Sequence, residues 1–163
     1  LFDRNLFDYG LSKSFTINIL YWTTGIGALL VLLNAYAARK SDNLKKYPQI
    51  RSDRWSKKLL FLSAIGWAGY IFSYELLFRG IFLSESVAAF GIVPAIVINI
   101  VLYAMVHIPK GLNETIGCIP FGIILCIITI HTGSIWVAFL THTTLALSNE
   151  WFSIHYNSKM ALI

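Results

Sequence analysis

The run Leu59-Leu-Phe-Leu-Ser-Ala-Ile-Gly-Trp-Ala-Gly-Tyr-Ile-Phe-Ser-Tyr-Glu75-Leu-Leu-Phe-Arg79-Gly-Ile-Phe-Leu83 contains only two charged residues, Glu75 and Arg79. As a helix rising ~1.5 Å per residue it is long enough to cross a hydrocarbon core ~30 Å thick. A carboxylate and a guanidinium at such depth are costly, and they persist where they pair or serve a site. Their spacing of four puts them on one helical face, where they can pair. Two readings follow. The pair is a structural lock within a helix bundle, or it is one corner of an intramembrane active site.

The rest of the composition agrees with lipid as the solvent. Of 163 residues, 56% are hydrophobic, 15% aromatic and only 13% charged, against about 25% charged in soluble domains. The net charge of +5 is concentrated. Eight of the thirteen Lys and Arg fall between Arg39 and Lys58, opposed only by Asp42 and Asp53. Long apolar runs flank this basic loop, which argues against nucleic acid as its partner. The positive-inside rule instead makes loop 39–58 cytoplasmic. Attraction to anionic headgroups is a secondary effect of the same charges. The chain begins with Leu rather than Met, so Leu1 is read as lying inside a longer protein, with room for an upstream helix. Cys118 and Cys126 are eight apart in an apolar run. A helix would separate them by ~12 Å, too far for a disulfide, and they read as small buried hydrophobes.

Outward from the central run, residues 1–13 hold a loose repeat and read as an interfacial segment. The sequence predicts an all-α polytopic transmembrane bundle of about five membrane helices, near residues 14–38, 59–83, 94–108, 115–130 and 135–151. Gly25 and Gly27 suit close helix contact in the first. Ser84-Glu85-Ser86 is expected to end the second, and Pro94 fits the first turn of the third. Pro109-Lys-Gly should stop the third, with Asn113 and Glu114 in a polar loop and His131-Thr-Gly-Ser134 in a tight turn.

Three polar groups in this layout need partners: Glu75, His107 and His142. Counted along their helices, Glu75 and His142 lie ~12 Å from one membrane face and His107 ~20 Å from it. Helix tilts of ~20° can absorb that difference. A desolvated carboxylate can act as general base toward water. One imidazole can share the proton, and the other can donate to an oxyanion. The same trio could ligate zinc, but its spacing matches no local zinc motif, so no cofactor is expected and zinc is the weaker alternative. Structural readings stand beside these. His107 precedes Pro109, where a histidine often satisfies helix-terminal carbonyls. His142, among threonines, could simply hydrogen-bond between helices.

The ordered segments Glu75-Leu-Leu-Phe-Arg79-Gly, Tyr103-Ala-Met-Val-His107, Gly122, Thr132-Gly-Ser-Ile-Trp136 and His142 resemble the CPBP family. That family comprises CAAX endopeptidases and bacteriocin-processing or self-immunity proteins of the membrane. Its motifs run Glu-Glu-x-x-x-Arg, Phe-x-x-x-His and His-x-x-x-Asn on successive helices. The resemblance implies that His107 helps activate water, that His142 stabilises the oxyanion and that Arg79 supports the site. Glu75 corresponds to the family's second glutamate, and Tyr103 replaces its phenylalanine. Two positions depart. Tyr74 stands where the first glutamate belongs, and Ala146 stands where the asparagine belongs. Tyrosine, with a pKa near ~10, is a poor base at neutral pH, and alanine donates no hydrogen bond. Asn149 is on nearly the same face as His142 but ~10 Å further along the axis, a poor stand-in.

The resemblance covers about residues 59–151. It divides the chain into an N-terminal part, residues 1–58, holding the interfacial segment, first span and basic loop, and a CPBP-like four-helix membrane domain, residues 59–157. Two function classes are expected. One is an integral membrane endopeptidase with a degenerate site. The other is a proteolytically inactive homologue that binds, shields or scaffolds a membrane peptide or protein, as an immunity protein would. Membrane lipid is a partner in either case. No broken-helix or repeat signal points to a transporter.

Overall fold

The computed structural model describes residues 5–11 and 16–163, and it is mostly helical. The helices are α1 (Ile17–Ala37), α2 (Ser41–Leu44), α3 (Lys57–Glu75), α4 (Leu83–Phe90), α5 (Ile92–Met105), α6 (Leu112–Thr132) and α7 (Trp136–Tyr156). A π-helical turn, Leu76–Phe82, joins α3 to α4 without a break, so Lys57–Phe90 forms one helical stretch. Short 3-10 turns occupy Leu6–Tyr9 and Ile108–Lys110. β1 (Arg54–Trp55) pairs in parallel with β2 (Ala161–Leu162).

Three stretches are long and apolar enough to cross a membrane: α1 with 21 residues, Lys57–Phe90 with 34 and α6 with 21. α5 is apolar but shorter, at 14 residues. α7 is as long as α1, but His142, Asn149 and Glu150 make it more polar, and it is not among these spans. The described helices thus contain three candidate spans and one shorter apolar helix toward the expected five. Leu32, Phe61, Val93 and Leu112 all project outward exposed. In water such a surface would be penalised, whereas lipid tails are as apolar as leucine and accept it.

Several boundaries differ from the sequence expectation. Ser84-Glu85-Ser86 does not end the second span, and the helix continues to Phe90. Leu83–Phe90 contains no proline or glycine, and Gly91, with a φ of 82°, then stops the helix. Within it, Glu85 accepts a hydrogen bond from Tyr9 Oη at 3.0 Å, which gives the carboxylate a partner. Asn113 and Glu114 are not in a loop but in the first turn of α6, where an acidic side chain is favoured by the helix dipole. His131 and Thr132 are the last residues of α6, and Gly133, left-handed at φ 63°, ends it. α5 stops at Met105, short of the expected residue 108, while Pro94 does lie in its first turn. α7 runs past Trp151 to Tyr156.

Leu1–Arg4 and Ser12–Phe15 lie outside the described residues. With them go half of the loose repeat and the expected start of the first span at Ser14. Between them, Asn5 caps the Leu6–Tyr9 turn, its Oδ1 accepting from Phe7 N at 2.9 Å.

By internal contacts the chain forms two compact units. The first comprises the described residues up to Leu20 together with Ser73–Phe139, and the second comprises Tyr21–Phe72 with Leu140–Ile163. In the first, Leu83, Ala95 and Cys126 form a buried core, flanked by Val87, Ile96 and Ile130. The N-terminal turn is tied in, because Ile135 N donates to Gly10 O at 3.0 Å. Gly80 admits this segment: a Cβ there would sit 2.8 Å from the Tyr9 carbonyl oxygen.

The second unit is held by polar pairs. Asn34 Nδ2 on α1 donates to Leu145 O and Ser148 Oγ of α7, both at 2.7 Å. Asn43 Nδ2 donates to Ser153 Oγ at 2.8 Å. Trp67 Nε1 on α3 donates to Glu150 Oε2 at 2.7 Å, and Ser63 Oγ donates to Glu150 Oε1. Lipid offers no hydrophobic drive between helices, so such bonds carry more of the specificity. Gly27 faces Thr144 Cγ2, 3.7 Å from where its Cβ would be, while nothing among the described residues lies within 4 Å of a Cβ at Gly25.

Candidate active site

The π-helical turn organises the first unit. A π turn bonds i to i+5 and holds one residue more than an α turn, which re-aims the side chains around it. Here the carbonyl of Phe78 accepts from Leu83 N, five residues on. Its second lone pair accepts from Asn99 Nδ2 of α5 at 2.7 Å. Asn99 Oδ1 in turn accepts from Cys126 Sγ of α6 at 3.3 Å. Three helical segments are thereby pinned around Arg79.

Glu75 is the last residue of α3, and Arg79 lies inside the π turn. Both are 0% exposed. Arg79 Nη1 lies 3.3 Å from Glu75 Oε2 and 3.4 Å from Oε1. These contacts are longer than the ~2.7–2.9 Å of tight charged pairs, so the guanidinium has other demands on it. Its Cζ lies 4.2 Å from the centroid of the Tyr103 ring, a cation–π contact. Gly122 of α6 makes room for that contact. A Cβ there would be 3.0 Å from Tyr103 Cδ1 and 3.6 Å from Arg79 Nη2.

Tyr103 leads on to the histidine. The His107 ring is 4.7 Å from the Tyr103 ring, edge-on. His107 N bonds Ala104 O in a tightened last turn. That leaves Tyr103 O to His107 Nδ1, at 2.8 Å. A carbonyl only accepts, so Nδ1 carries the hydrogen and Nε2 is the acceptor of the neutral ring. The capping contact read from Pro109 therefore also sets the tautomer.

Tyr74 completes the cluster. Its ring stacks on Phe78 at 4.4 Å and meets Tyr103 edge-on at 5.9 Å and His107 edge-on at 6.4 Å. Of the residues singled out from sequence, Glu75, Arg79, Tyr74 and His107 thus join through Tyr103 into one contiguous group. His142 and Asn149 stand half-buried on α7, in the second unit, as does Ala146. Asn149 Oδ1 is buried without a hydrogen-bond partner among the described residues. Among the described residues, no three His, Cys, Asp or Glu side chains are grouped so as to hold a metal ion.

Asn99 and Glu150 are buried polar residues that were not anticipated from sequence. Asn99 is the polar interruption of an apolar helix, and Glu150 is a fully buried carboxylate on α7. The test that singled out Glu75, a polar group inside an apolar run, would have found Asn99. Glu150 sits near the polar end of α7, where it reads as solvated, and only its contact with Ser63 and Trp67 reveals its burial.

What the group offers chemically is a half-buried imidazole with one ring nitrogen bonded to a main-chain carbonyl. In the neutral ring Nε2 is an acceptor by its chemistry. Arg79 holds Glu75 and packs on the ring that positions His107. The family comparison bears on this geometry. A family model described as Type II CAAX prenyl endopeptidase Rce1-like matches residues 55–148, more than half of the chain. No curated protein matches, and no solved structure matches.

Proposed function

The chain belongs to the type II CAAX prenyl endopeptidase Rce1-like family, and on that premise we propose that it is an integral membrane endopeptidase-like protein with a degenerate, weakened hydrolytic site. The proposal takes residues 59–157 as the CPBP-like domain and places the basic loop 39–58 in the cytoplasm. The observation that carries it is the contact between Tyr74 and His107, their rings 6.4 Å apart. The position matching the family's first glutamate adjoins the matching histidine, yet it holds a phenol instead of a carboxylate.

In the proposed reaction, water attacks the carbonyl carbon of a peptide bond and gives its proton to His107 Nε2. The family resemblance assigns His142 as the donor to the resulting oxyanion. The C–N bond then breaks as the proton passes to the leaving amine. Glu75, adjacent to Tyr74 and held by Arg79, is the remaining carboxylate able to assist His107. Loss of a general base typically costs about 10²–10⁴ in rate, and loss of one oxyanion donor about 10²–10³. Tyr74 and Ala146 together therefore favour slow or absent cleavage. They also favour the alternative, an inactive homologue that binds or shields a membrane peptide or protein.

A cleavage assay on CAAX-type and leader-peptide substrates tests this reading. Wild type should cleave little, and Tyr74→Glu with Ala146→Asn should raise cleavage. Robust wild-type cleavage abolished by Glu75→Gln would overturn the weakened-site reading and make Glu75 the base. No cleavage in any folded variant would favour the binding role.

A further inference from the structure

A groove of about 410 Å³ opens in the second unit. It is lined by Leu60, Phe61 and Ala64 of α3, Trp151 and Ile154 of α7, and Leu162 of β2. No polar side chain other than the Trp151 indole contributes to this lining. It lies in the first two turns of α3 and the last turns of α7. In a membrane-spanning α3 that is the level just beneath the headgroups, where a tryptophan such as Trp151 is at home.

The charges at its mouth are distinctive. Much of the basic loop is occupied within the protein. Arg51 donates to the carbonyls of Leu44, Lys45 and Tyr47. Lys45 pairs with Asp42 at 3.0 Å. Arg39 sits over the Tyr156 ring and Lys40 over the Tyr36 ring. Arg54, Lys57 and Lys58 differ: all three are exposed, and none has an ion-pair partner among the described residues. Lys57 and Lys58 adjoin the groove, and Arg54 does not. Lys57 is one helical turn before Leu60 and Phe61, and Lys58 one turn before Phe61. Arg54 pairs across the strands with Ala161, so its side chain lies on the sheet face opposite that of Leu162, which pairs with Trp55.

We propose that this groove is a binding site for an anionic phospholipid, with one acyl chain against Leu60, Phe61, Ala64, Trp151, Ile154 and Leu162 and the phosphate on Lys57 and Lys58. A zwitterionic lipid would satisfy the apolar wall, but its ammonium group would offset the phosphate charge that draws the two lysines. A soluble anion would satisfy the cations but leave the groove empty. Each basic side chain near an anionic surface contributes about 1 kcal/mol, roughly fivefold in affinity. Two of them predict more than tenfold discrimination by headgroup.

The test is native mass spectrometry of the whole chain in neutral detergent, titrated separately with dioleoylphosphatidylglycerol and dioleoylphosphatidylcholine. Wild type should prefer the anionic lipid by at least tenfold, and the preference should fall with salt. Lys57→Gln and Lys58→Gln combined, both at exposed positions, should abolish the preference while leaving helicity unchanged. Ala64→Phe should weaken binding of both lipids, and millimolar inorganic phosphate should not displace the bound lipid. Equal binding of the two lipids by wild type would overturn the proposal. So would an unchanged preference in the charge variant, unchanged lipid binding in Ala64→Phe, or complete displacement by phosphate, which would mark a bare anion site.

Discussion

The side-chain amide of Asn99 donates to the main-chain carbonyl of Phe78 at 2.7 Å, tying α5 to the π-helical turn that carries Arg79. The carbonyl already accepts from Leu83 N, so the amide uses its second lone pair. Through Cys126 the same asparagine reaches α6. A single side chain thus links the three segments that enclose the buried guanidinium.

Replacing Asn99 with leucine should therefore destabilise the protein by about 1–3 kcal/mol, the cost of leaving buried polar groups under-satisfied. Asn99→Asp should be worse, because it sets a carboxylate against a carbonyl oxygen. Thermal unfolding in detergent, followed by helicity, checks both. Equal stability of Asn99→Leu and wild type would show that the π turn holds itself.

Breaking the Glu75–Arg79 pair should cost about 3–5 kcal/mol, because one buried charge is then left uncompensated. Arg79→Ala should cost more than Glu75→Gln, since it also removes the stack on Tyr103. Replacing both residues by apolar ones of similar size should recover much of the loss. Chemical denaturation of the single and double variants measures the coupling.

Gly122→Ala should destabilise by about 1–3 kcal/mol through overpacking. Its Cβ would sit 3.0 Å from the Tyr103 ring, which cannot retreat without leaving Arg79. Adding Tyr103→Leu, which removes the obstructing ring edge, should make the alanine nearly neutral. A thermal-shift series of the single and double variants reads this directly.

Glu150→Ala should orphan two donors, Ser63 Oγ and Trp67 Nε1, at about 1–3 kcal/mol for each that stays buried. Combined with Trp67→Phe, the loss should be less than additive, by about 0.5–3 kcal/mol. Strict additivity would mean that the indole and carboxylate do not interact in the folded protein.

The helical, membrane-embedded character of this chain was legible without coordinates. Charge is scarce, the apolar runs match a bilayer, and the basic loop marks an interface, all properties of composition and length. Glu75 and Arg79 stood out because ionic groups in an apolar run have few explanations. The order of the Arg79, His107 and His142 segments carried the family. Other features were settled only by neighbours in space. Ser84-Glu85-Ser86 stays helical partly because Tyr9, far away in sequence, gives Glu85 a partner. The π turn has no local signature, since its extra carbonyl bond comes from Asn99 on another helix. Gly122 reads as a neutral residue until Tyr103 and Arg79 close on it. Glu150 looks solvated until α3 brings Ser63 and Trp67 to it. Local propensity and hydropathy are sums over neighbours in the chain, and they determine which segments are helices in lipid. Which polar group meets which depends on packing between helices, and that is written only in the tertiary structure.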